Sequence, residues 1–344
     1  MRVLFLTLYD EIGASSRTRV YVFVPYLENY GIKSVIKPLF VGGLPQSMQY
    51  LLSIPKRFLH ILFAWRYDIV FIQKDIFPLI LRKMLSLLNK NIVYEFDDAI
   101  FTTNDKGLKG WIMRLRAKNF PEMLKISKHV IIENEYNEAF VLEHCKNTSI
   151  ITGPIDTDRY FLGTKTKSDE IVLGWVGSPT TVEYLLILKP VFERLTARYK
   201  DRIRLKIIGS DKELGLGVET EYIKWDLDTE VQGLQSFDIG IMPLPDNEWT
   251  RGKGGYKLLQ YMSCGLPVVA SPVGVNCEIV KDSVNGFLAN NEEEWYNALN
   301  KLIKDSKLRK KLGTGGRKLM EEKYSLKLAA RRYADIFGNI IKND

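Results

Sequence analysis

A cluster of glycines and cations stands directly before an apolar helical stretch in the second half of the chain. The segment TRGKGGYKLLQYMSCGLPVVAS (Thr250–Ser271) follows the buried strand pattern SFDIGIMPL after a short loop. The first turn of a helix offers unpaired N–H groups and the positive end of the helix dipole, and glycine lets an anion approach them. The pattern predicts a phosphate or diphosphate site at Arg251, Lys253, Gly254, Gly255, Tyr256 and Lys257. A flexible glycine turn with solvated cations is the alternative interpretation.

The spacing of these residues matches neither G-x-x-x-x-G-K-[ST] nor G-x-G-x-x-G, which speaks against an NTPase or a nicotinamide-dependent enzyme. A second loop, GSPTT at 177–181, comes after another apolar run. We expect Ser178 or Thr180 to cap the helix that follows it. The N–H groups of Gly177 and Ser178 are expected to meet the same phosphate.

The first half of the chain carries two further polar sets. Asp97 and Asp98 directly follow the strand pattern in VYEFDDAIF, and paired carboxylates there can hold hydroxyl groups or act as a base. An N-cap with a loop ion pair is the alternative. After the first strand, small residues and a cation can face a ligand, or form a plain turn with Ser15 or Ser16 as N-cap. This set comprises Gly13, Ser15, Ser16 and Arg17.

Other catalytic patterns do not emerge from the sequence. The histidines lie in separate patterns and are expected to be structural, and no G-x-S-x-G elbow is present. The cysteines are far apart without C-x-x-C spacing, which argues against a zinc site or a disulfide framework and fits a reducing cytoplasm. These residues are His60, His129 and His144, and Cys145, Cys264 and Cys277.

The elements that must position these residues alternate between short β-branched runs and helical patterns. Strands buried on both faces and joined by crossover helices predict parallel, doubly wound sheets, and ligands bind at the carboxyl edges of such sheets. The segment Gly153 to Glu170 interrupts the alternation as a linker would. The predicted strands are Val3–Thr7, Val35–Pro38, Ile69–Ile72, Ile92–Tyr94, Val130–Ile132, Ser149–Thr152, Ile171–Val176, Leu205–Ile208, Ile223–Trp225, Ile239–Met242, Val268–Ala270 and Gly286–Leu288.

The helices predicted in the first half are Ser16–Tyr30, Met48–Trp65, Leu79–Leu88, Trp111–Ser127 and Glu135–His144. In the second half a helix at Tyr256–Cys264 follows the glycine cluster. Further helices fill the chain from Glu292 to about Ile341, and the last of them carries an apolar stripe.

Charge is unevenly distributed along the 344 residues. The formal net charge is +8, and residues 1–165 hold 22 Lys and Arg against 16 Asp and Glu, a surplus of 6. Basic and apolar residues mix in SIPKRFLHILFAWRYD and KGLKGWIMRLRAKNF, so an anionic membrane surface is an expected partner. Ordinary helices that face the core and carry Lys and Arg on their solvent-exposed side are the alternative. The modest charge excess and the lack of a recognition module exclude nucleic acid as a partner.

Five segments together carry a resemblance to a known family. GYKLLQYMSCGLPVVASPVG, EIVKDSVNGFLA, LGWVGSPTTVEYL, SFDIGIMPL and VYEFDDAIF resemble the retaining glycosyltransferases of the GT-B fold, family GT4 or glycosyl transferases group 1. The resemblance implies a hexosyltransferase-type enzyme (EC 2.4) with two tandem Rossmann-like domains and a cleft between them. It further implies a UDP- or GDP-sugar donor, a glycan or lipid-linked acceptor in surface polysaccharide or glycoconjugate synthesis, and no metal or other cofactor.

By this resemblance, residues 1–155 form the acceptor domain, 165–325 the donor domain, and 326–344 a helix that packs back on the first domain. The catalytic candidates are Lys257, Asp98 and Asp97, with the aspartates binding the acceptor first. The expected location is cytoplasmic, at the inner face of the cytoplasmic membrane.

The family commonly carries two glutamates eight positions apart, and here those positions hold Gly252 and Gln260. Gln260 can still hydrogen-bond a ribose, whereas Gly252 offers no side chain. Recognition of the donor sugar is then expected from Glu248 or Asp246 in the same loop, or from backbone N–H groups. A sugar-nucleotide epimerase of the same architecture and a catalytically degenerate partner subunit remain as alternatives.

Overall fold

The computed structural model describes residues 1–42, 46–102, 117–163 and 169–342. It divides the chain into two compact units. The first unit comprises Met1–Pro154, Arg251–Gly254 and Leu326–Asp344, and the second comprises Ile155–Thr250 and Gly255–Ser325. Each unit contains a six-stranded sheet whose neighbouring strands run parallel, with helices on its faces. The predicted α/β class with two doubly wound parallel sheets is therefore confirmed.

The sheet of the first unit has the strand order β2-β1-β3-β4-β5-β6. Its inner strands are continuous apolar runs because helices cover both faces. The order turns back at β1, which pairs with both β2 and β3, and such a switch point is where doubly wound sheets bind ligands. The strands are β1 Arg2–Tyr9, β2 Lys33–Phe40, β3 Ile69–Gln73, β4 Ile92–Glu95, β5 His129–Ile132 and β6 Thr148–Ile150.

The α-helices of the first unit are Ala14–Ser16, Val24–Leu27, Gln46–Leu62, Leu79–Leu88, Glu135–Val141 and Leu326–Lys342, with further helical residues at 117–125. The helix predicted at Ser16–Tyr30 is wrong as a single element. A π-helical turn at Arg17–Tyr21 precedes Val24–Leu27, because Pro25 lacks the N–H that would continue the ladder of hydrogen bonds. Residues 111–116 of the helix predicted at Trp111–Ser127 lie outside the described residues.

The last helix, Leu326–Lys342, packs its apolar stripe on the sheet of the first unit. The ring of Tyr333 stacks on Phe23 with centroids 4.2 Å apart, and Phe337 meets Phe5 edge to face at 6.4 Å. Burial of this aromatic cluster ties the end of the chain to its first strand.

The second unit repeats the architecture with the order β12-β11-β10-β7-β8-β9. Its switch point lies at β7, which pairs with β8 and β10. The strands are β7 Ile171–Val176, β8 Ile203–Ile208, β9 Thr220–Ile223, β10 Ile239–Met242, β11 Val268–Ala270 and β12 Gly286–Leu288. The α-helices are Lys189–Tyr199, Glu230–Gln235, Glu248–Arg251, Tyr256–Ser263, Asn276–Ile279, Glu292–Lys304 and Ser306–Leu319. Arg251, the last residue of Glu248–Arg251, belongs to the first unit. Within the described parts of the chain, no helix has the length and hydropathy to cross a bilayer.

Candidate functional site

The switch point of the second unit places two loops side by side. Strand β7 ends at Val176 and runs into Gly177, while the chain after neighbouring β10 leads to the helix Tyr256–Ser263. Gly255 stands immediately before this helix with φ of 67°, in the left-handed region. Only glycine adopts that conformation without strain, and an added Cβ would also contact Val275 and Ile279. The glycine therefore sets how the chain enters the helix.

Lys257 and Gly177, both predicted to meet a phosphate, lie next to each other. The Nζ atom of Lys257 is 5.2 Å from the ring centroid of Trp175, a cation–π contact. A Cβ added at Gly177 would stand 2.5 Å from the Trp175 ring and 2.9 Å from Cε of Lys257. A side chain at 177 would therefore displace the Trp175 ring or the end of the Lys257 side chain. An ammonium group and the first N–H groups of a helix are thus held at one sheet edge.

The predicted caps Ser178 and Thr180 are wrong. The helical segment after this loop is a 3₁₀-helix, Val182–Leu188, and Thr181 at its start makes no side-chain capping bond. The exposed hydroxyls of Ser178 and Thr180 instead bond to each other at 2.7 Å. The helical segment begins at Val182, so its N-cap position falls on Thr181 and not on Ser178 or Thr180.

Gln260 lies in a buried hydrogen-bonded cluster that the sequence did not reveal. Its Nε2 donates to Oε1 of Glu230 at 2.9 Å and to the Tyr160 hydroxyl at 3.2 Å. The Glu230 carboxylate also accepts from Nε1 of Trp225 at 2.8 Å and from the Tyr160 hydroxyl at 2.6 Å. Three neutral donors and Arg159, 3.9 Å away, satisfy this buried carboxylate. The amide predicted to bind ribose therefore has both its N–H groups directed at other side chains.

In the first unit, the two predicted aspartates are joined by a lysine. Nζ of Lys74 lies 2.6 Å from Oδ1 of Asp97 and 2.7 Å from Oδ2 of Asp98. Burial opposes the charged lysine, but the two carboxylates outweigh it and raise its pKa. Lys74 has φ of 59°, which is uncommon for a residue with a side chain and recurs at functional sites. At the sheet edge after β3 and β4, a lysine with a strained backbone conformation thus lies between two carboxylates.

The small residues after β1 join the same cluster without capping a helix. Oγ of Ser15 donates to Oδ2 of Asp97 at 2.5 Å, and Oγ of Ser16 donates to Oε1 of Gln73 at 2.8 Å. The N-cap of the short helix is Gly13 and not Ser15. Ser16 stands at the N-cap of the π-helical turn Arg17–Tyr21, but its side chain makes no capping bond. Nη1 of Arg17 donates to the carbonyl of Ile12 at 2.9 Å. These contacts leave a hydroxyl-rich edge beside two carboxylates.

Beneath this edge lies a buried charge cluster that sequence reasoning missed. Arg19 is 1% exposed and pairs with Glu95 at 2.5 Å and with Glu133 at 2.8 Å. One guanidinium cannot neutralise two buried carboxylates, so burial raises the pKa of Glu95 to about 7 and that of Glu133 well above its usual range. A usable signal exists in the sequence: apolar runs at β3, β4 and β5 each end in polar residues, namely Gln73 and Lys74, Glu95, and Glu133 and Asn134.

The segment Arg251–Gly254 makes its contacts within the first unit. Nδ2 of Asn137 donates to the Gly252 carbonyl at 3.0 Å, and Nδ2 of Asn134 donates to the Lys253 carbonyl at 3.1 Å. Nζ of Lys253 lies 3.7 Å from Oδ1 of Asp98. Arg251, Lys253 and Gly254, which were predicted to bind the donor, therefore belong to the same unit as the predicted acceptor residues.

Packing explains why position 252 holds glycine. A Cβ at Gly252 would lie 2.9 Å from the backbone nitrogen of Ala99 and would overlap its methyl group. A Cβ at Gly254 would fall on the carboxylate of Glu133. No glutamate fits at 252 in this arrangement. Among the described residues, no group of three or more His, Cys, Asp or Glu side chains is arranged to hold a metal ion.

Comparisons with known proteins agree with this architecture. Residues 170–305 match the family model described as Glycosyl transferases group 1. The uncharacterized glycosyltransferases MJ1069 and MJ1178 of Methanocaldococcus jannaschii are 36% and 26% identical over 94 and 258 residues. Those stretches cover 26% and 71% of this chain, and 24% and 66% of the two relatives. The chain thus spans less than two thirds of the length of either relative.

Among solved structures, Anabaena Alr3699/HepE in complex with UDP and glucose superposes with a TM-score of 0.72 and 15% identity, covering 98% of this chain and 100% of that one. That likeness concerns the fold. The two curated relatives are both named as glycosyltransferases. The chain therefore has the two-domain GT-B fold, and its residues 170–305 match the glycosyl transferases group 1 family.

Proposed function

We propose that this protein is a retaining glycosyltransferase of family GT4 that moves a hexose from a UDP- or GDP-sugar to a glycan or a lipid-linked acceptor. The observation that carries the proposal is the sheet edge at Gly177 and Lys257, where an ammonium group stands beside the start of a helix entered through a left-handed glycine. Such an edge suits a diphosphate. UDP and glucose are the ligands in the HepE structure of the same fold.

In this proposal Lys257 and the N–H groups after Gly255 balance the negative charge that develops on the departing nucleoside diphosphate. The donor site is completed by Ser178 and Tyr256. Because fixed positive charge and the helix dipole supply the neutralisation, we expect the transfer to need no metal ion.

The acceptor is proposed to bind at the hydroxyl-rich edge of the first unit. Asp97 and Asp98 would accept hydrogen bonds from acceptor hydroxyls while Lys74 holds the two carboxylates in place. A role in surface polysaccharide or glycoconjugate synthesis, at the inner face of the cytoplasmic membrane, belongs to the same proposal. Its support is the basic surplus of the first half of the chain.

The decisive experiment is calorimetric titration of the full chain with UDP, GDP and ADP in the presence of EDTA. One nucleotide should bind, and Lys257→Ala should weaken it at least about tenfold because a paired charge is lost. Lys301→Ala is the matched control, since Lys301 makes a similar cation–π contact, 5.6 Å from the Phe287 ring, elsewhere in the same unit.

Binding of none of the three nucleotides, or equal loss in both variants, would overturn the donor site. The reaction itself is tested by incubating the corresponding nucleotide sugar with candidate acceptors and following the anomeric proton of the product by NMR. Retained configuration is expected. Inverted configuration, or turnover only after addition of a divalent metal, would contradict the proposed mechanism.

A further inference from the structure

Two aromatic side chains stand at the carboxyl edge of the first unit's sheet, at its switch point. Tyr9 is the last residue of β1 and Phe40 the last of β2, and the two are register partners on neighbouring strands. Their ring centroids lie 5.9 Å apart. Tyr9 is nevertheless 40% exposed, and Ile12 in the loop after β1 is 67% exposed. We name Tyr9, Ile12 and Phe40 the apolar patch, which lies where doubly wound sheets bind ligands.

The loop after β1 is fixed around the apolar patch by one carboxylate. Oδ1 of Asp10 accepts from the N–H of Ile12 at 3.2 Å. Its Oδ2 accepts at 2.6 Å from the N–H of Gly42, in the loop after β2. At Gly13 the chain passes so close to Tyr9 that an added Cβ would lie 2.3 Å from the tyrosine Cβ. Because Tyr9 is packed against its own loop, a ligand that stacks on it has little side-chain freedom to remove.

A chain of hydrogen bonds joins the apolar patch to the carboxylates proposed to bind the acceptor. The N–H of Tyr9 donates to Oγ of Ser16 at 3.0 Å, and that hydroxyl donates to Oε1 of Gln73 at 2.8 Å. Nε2 of the same buried amide donates to Oγ of Ser15 at 3.0 Å, and Ser15 donates to Asp97. Strands β1 and β4 are separated by β3, so Tyr9 and Asp97 follow strands two spacings apart, about 10 Å. Two linked pyranose rings cover such a span, and one ring does not.

The charges around the apolar patch have both signs. Asp10 and Glu11 belong to the loop itself, and Arg17 donates to the carbonyl of Ile12 at 2.9 Å. Nζ of Lys56 donates to a carbonyl of β2 at 2.7 Å. Carboxylates accept from hydroxyl groups and cations donate to them, so this surround suits a ligand rich in hydroxyls. A purely apolar chain would desolvate all four charges, and an anionic group would meet two carboxylates.

We infer that Tyr9 and Ile12 form a second acceptor subsite, for a sugar ring adjacent to the ring that Asp97 holds. The C–H face of that second ring lies on the tyrosine ring, while its hydroxyls reach the charged groups of the loop. The inference rests on the proposed function and narrows its acceptor to an oligosaccharide of at least two units, free or lipid-linked.

Saturation-transfer NMR titration of the full chain tests this subsite. The probes are the methyl glycosides of glucose, galactose, mannose and N-acetylglucosamine, and disaccharides that end in the same sugars. At least one disaccharide should bind about fivefold or more tightly than its methyl glycoside, because the second ring buries its apolar face. Tyr9→Ala should remove this gain and leave the methyl glycoside unaffected. Tyr9→Phe should keep the gain, and Ile12→Ser should reduce it. Asp97→Asn should weaken both classes of sugar.

The matched control is Tyr30→Ala, which removes a tyrosine of 47% exposure from the turn before β2, at the other end of that strand. It should keep the gain. Equal affinities for disaccharides and methyl glycosides would overturn the subsite, as would a gain that survives in Tyr9→Ala or is lost in Tyr30→Ala. Tighter binding of monomeric octyl glucoside than of any disaccharide would overturn it in favour of a lipid tail.

Two further outcomes separate the subsite from the proposed function. Binding of no sugar, or affinities that Asp97→Asn leaves unchanged, would refute the acceptor site itself and the subsite with it. Titration with UDP, GDP and ADP reports the donor site independently, and Tyr9→Ala should not alter it. A Tyr9→Ala variant that loses nucleotide binding as well would contradict a role confined to the acceptor.

Discussion

The Nζ atom of Lys74 lies 2.6 Å from Oδ1 of Asp97, and the same ammonium group reaches Asp98. Lys74 directly follows strand β3 and the aspartates follow β4, and these neighbouring parallel strands place the three charges at one sheet edge. A pair of carboxylates read from the sequence as a possible base is therefore a salt-bridged pair, and this favours hydroxyl binding over proton abstraction.

We expect Lys74→Ala to lower the free energy of unfolding by about 2–3 kcal/mol, because it leaves two partly buried carboxylates facing each other. Lys74→Gly should cost about 1 kcal/mol less than the alanine, since glycine adopts φ of 59° without strain. Urea unfolding measures both values. Lys125→Ala, which breaks an exposed pair with Glu122, should change stability by less than about 1 kcal/mol. Equal losses at 74 and 125 would contradict a structural role for the Lys74 pair.

The cluster of Arg19, Glu95 and Glu133 predicts how stability depends on pH. Burial raises the pKa of Glu95 to about 7 and that of Glu133 well above 4.5, so the folded chain holds protons that the unfolded chain releases. The protonated glutamates therefore stabilise the folded chain fully below about pH 4.5, and this stabilisation is lost as the pH rises through about 7. Glu133→Gln should therefore flatten the fall in melting temperature between about pH 5 and pH 8.

The control for this pH profile is Glu143→Gln, an exposed glutamate of the same unit. It should leave the slope of melting temperature against pH unchanged. Parallel curves for the wild type and Glu133→Gln would show that the buried carboxylates do not hold the extra proton.

The packing at Gly252 predicts that a glutamate cannot be introduced at this position. Gly252→Ala should lower the free energy of unfolding by about 2 kcal/mol or more, because the added Cβ overlaps Ala99. Gly252→Glu should lower it further. It should not tighten nucleotide binding. Gly338→Ala, in the last helix with open space around it, should instead stabilise by about 0.5–1 kcal/mol. Thermal unfolding should therefore give a lower melting temperature for Gly252→Ala and a higher one for Gly338→Ala. A stable Gly252→Glu variant with higher transferase activity would refute this account.

A fourth prediction concerns Gln260 and its partner Glu230. Gln260→Glu should destabilise the second unit by about 2 kcal/mol or more at neutral pH, because two carboxylates would then share a buried site. The loss should shrink as the pH falls and one of them binds a proton. The swap variant, Glu230→Gln with Gln260→Glu, should recover most of the stability. Melting temperatures across pH measure this, and a swap no better than the single variant would count against the hydrogen-bonded pair.

Much of the fold follows from local patterns. The predicted bounds of Ile171–Val176, Ile239–Met242, Val268–Ala270 and Gly286–Leu288 agree with the observed strands. Parallel strands buried on both faces are nearly continuous apolar runs, so a short window of sequence is enough to locate them. The stretch Ser16–Tyr30 failed because its helical periodicity does not register the break at Pro25.

Only part of the candidate site could be predicted from the sequence. Lys257 and Gly177 are recognisable because glycines and cations at the start of a helix have a local meaning, and the structure places the two together. Arg19 and Glu133 were missed because a charged residue within an apolar pattern looks like a solvated position until its partner is known. That partner stands 114 positions away.

The sequence by itself determined the α/β alternation, the positions of most strands and the glycine-led start of the helix at Tyr256. The strand predicted at Ile223–Trp225 is wrong in its position, since the structure has it at Thr220–Ile223. Only the tertiary structure decided that Lys74 joins Asp97 to Asp98, that Gln260 is held by Glu230, and that Ala99 leaves no room for a side chain at 252. The reason is physical: these contacts depend on which strands become neighbours and on where each crossover returns the chain. Hydrophobic periodicity measures only which face of an element is buried, and therefore cannot report which side chains meet there.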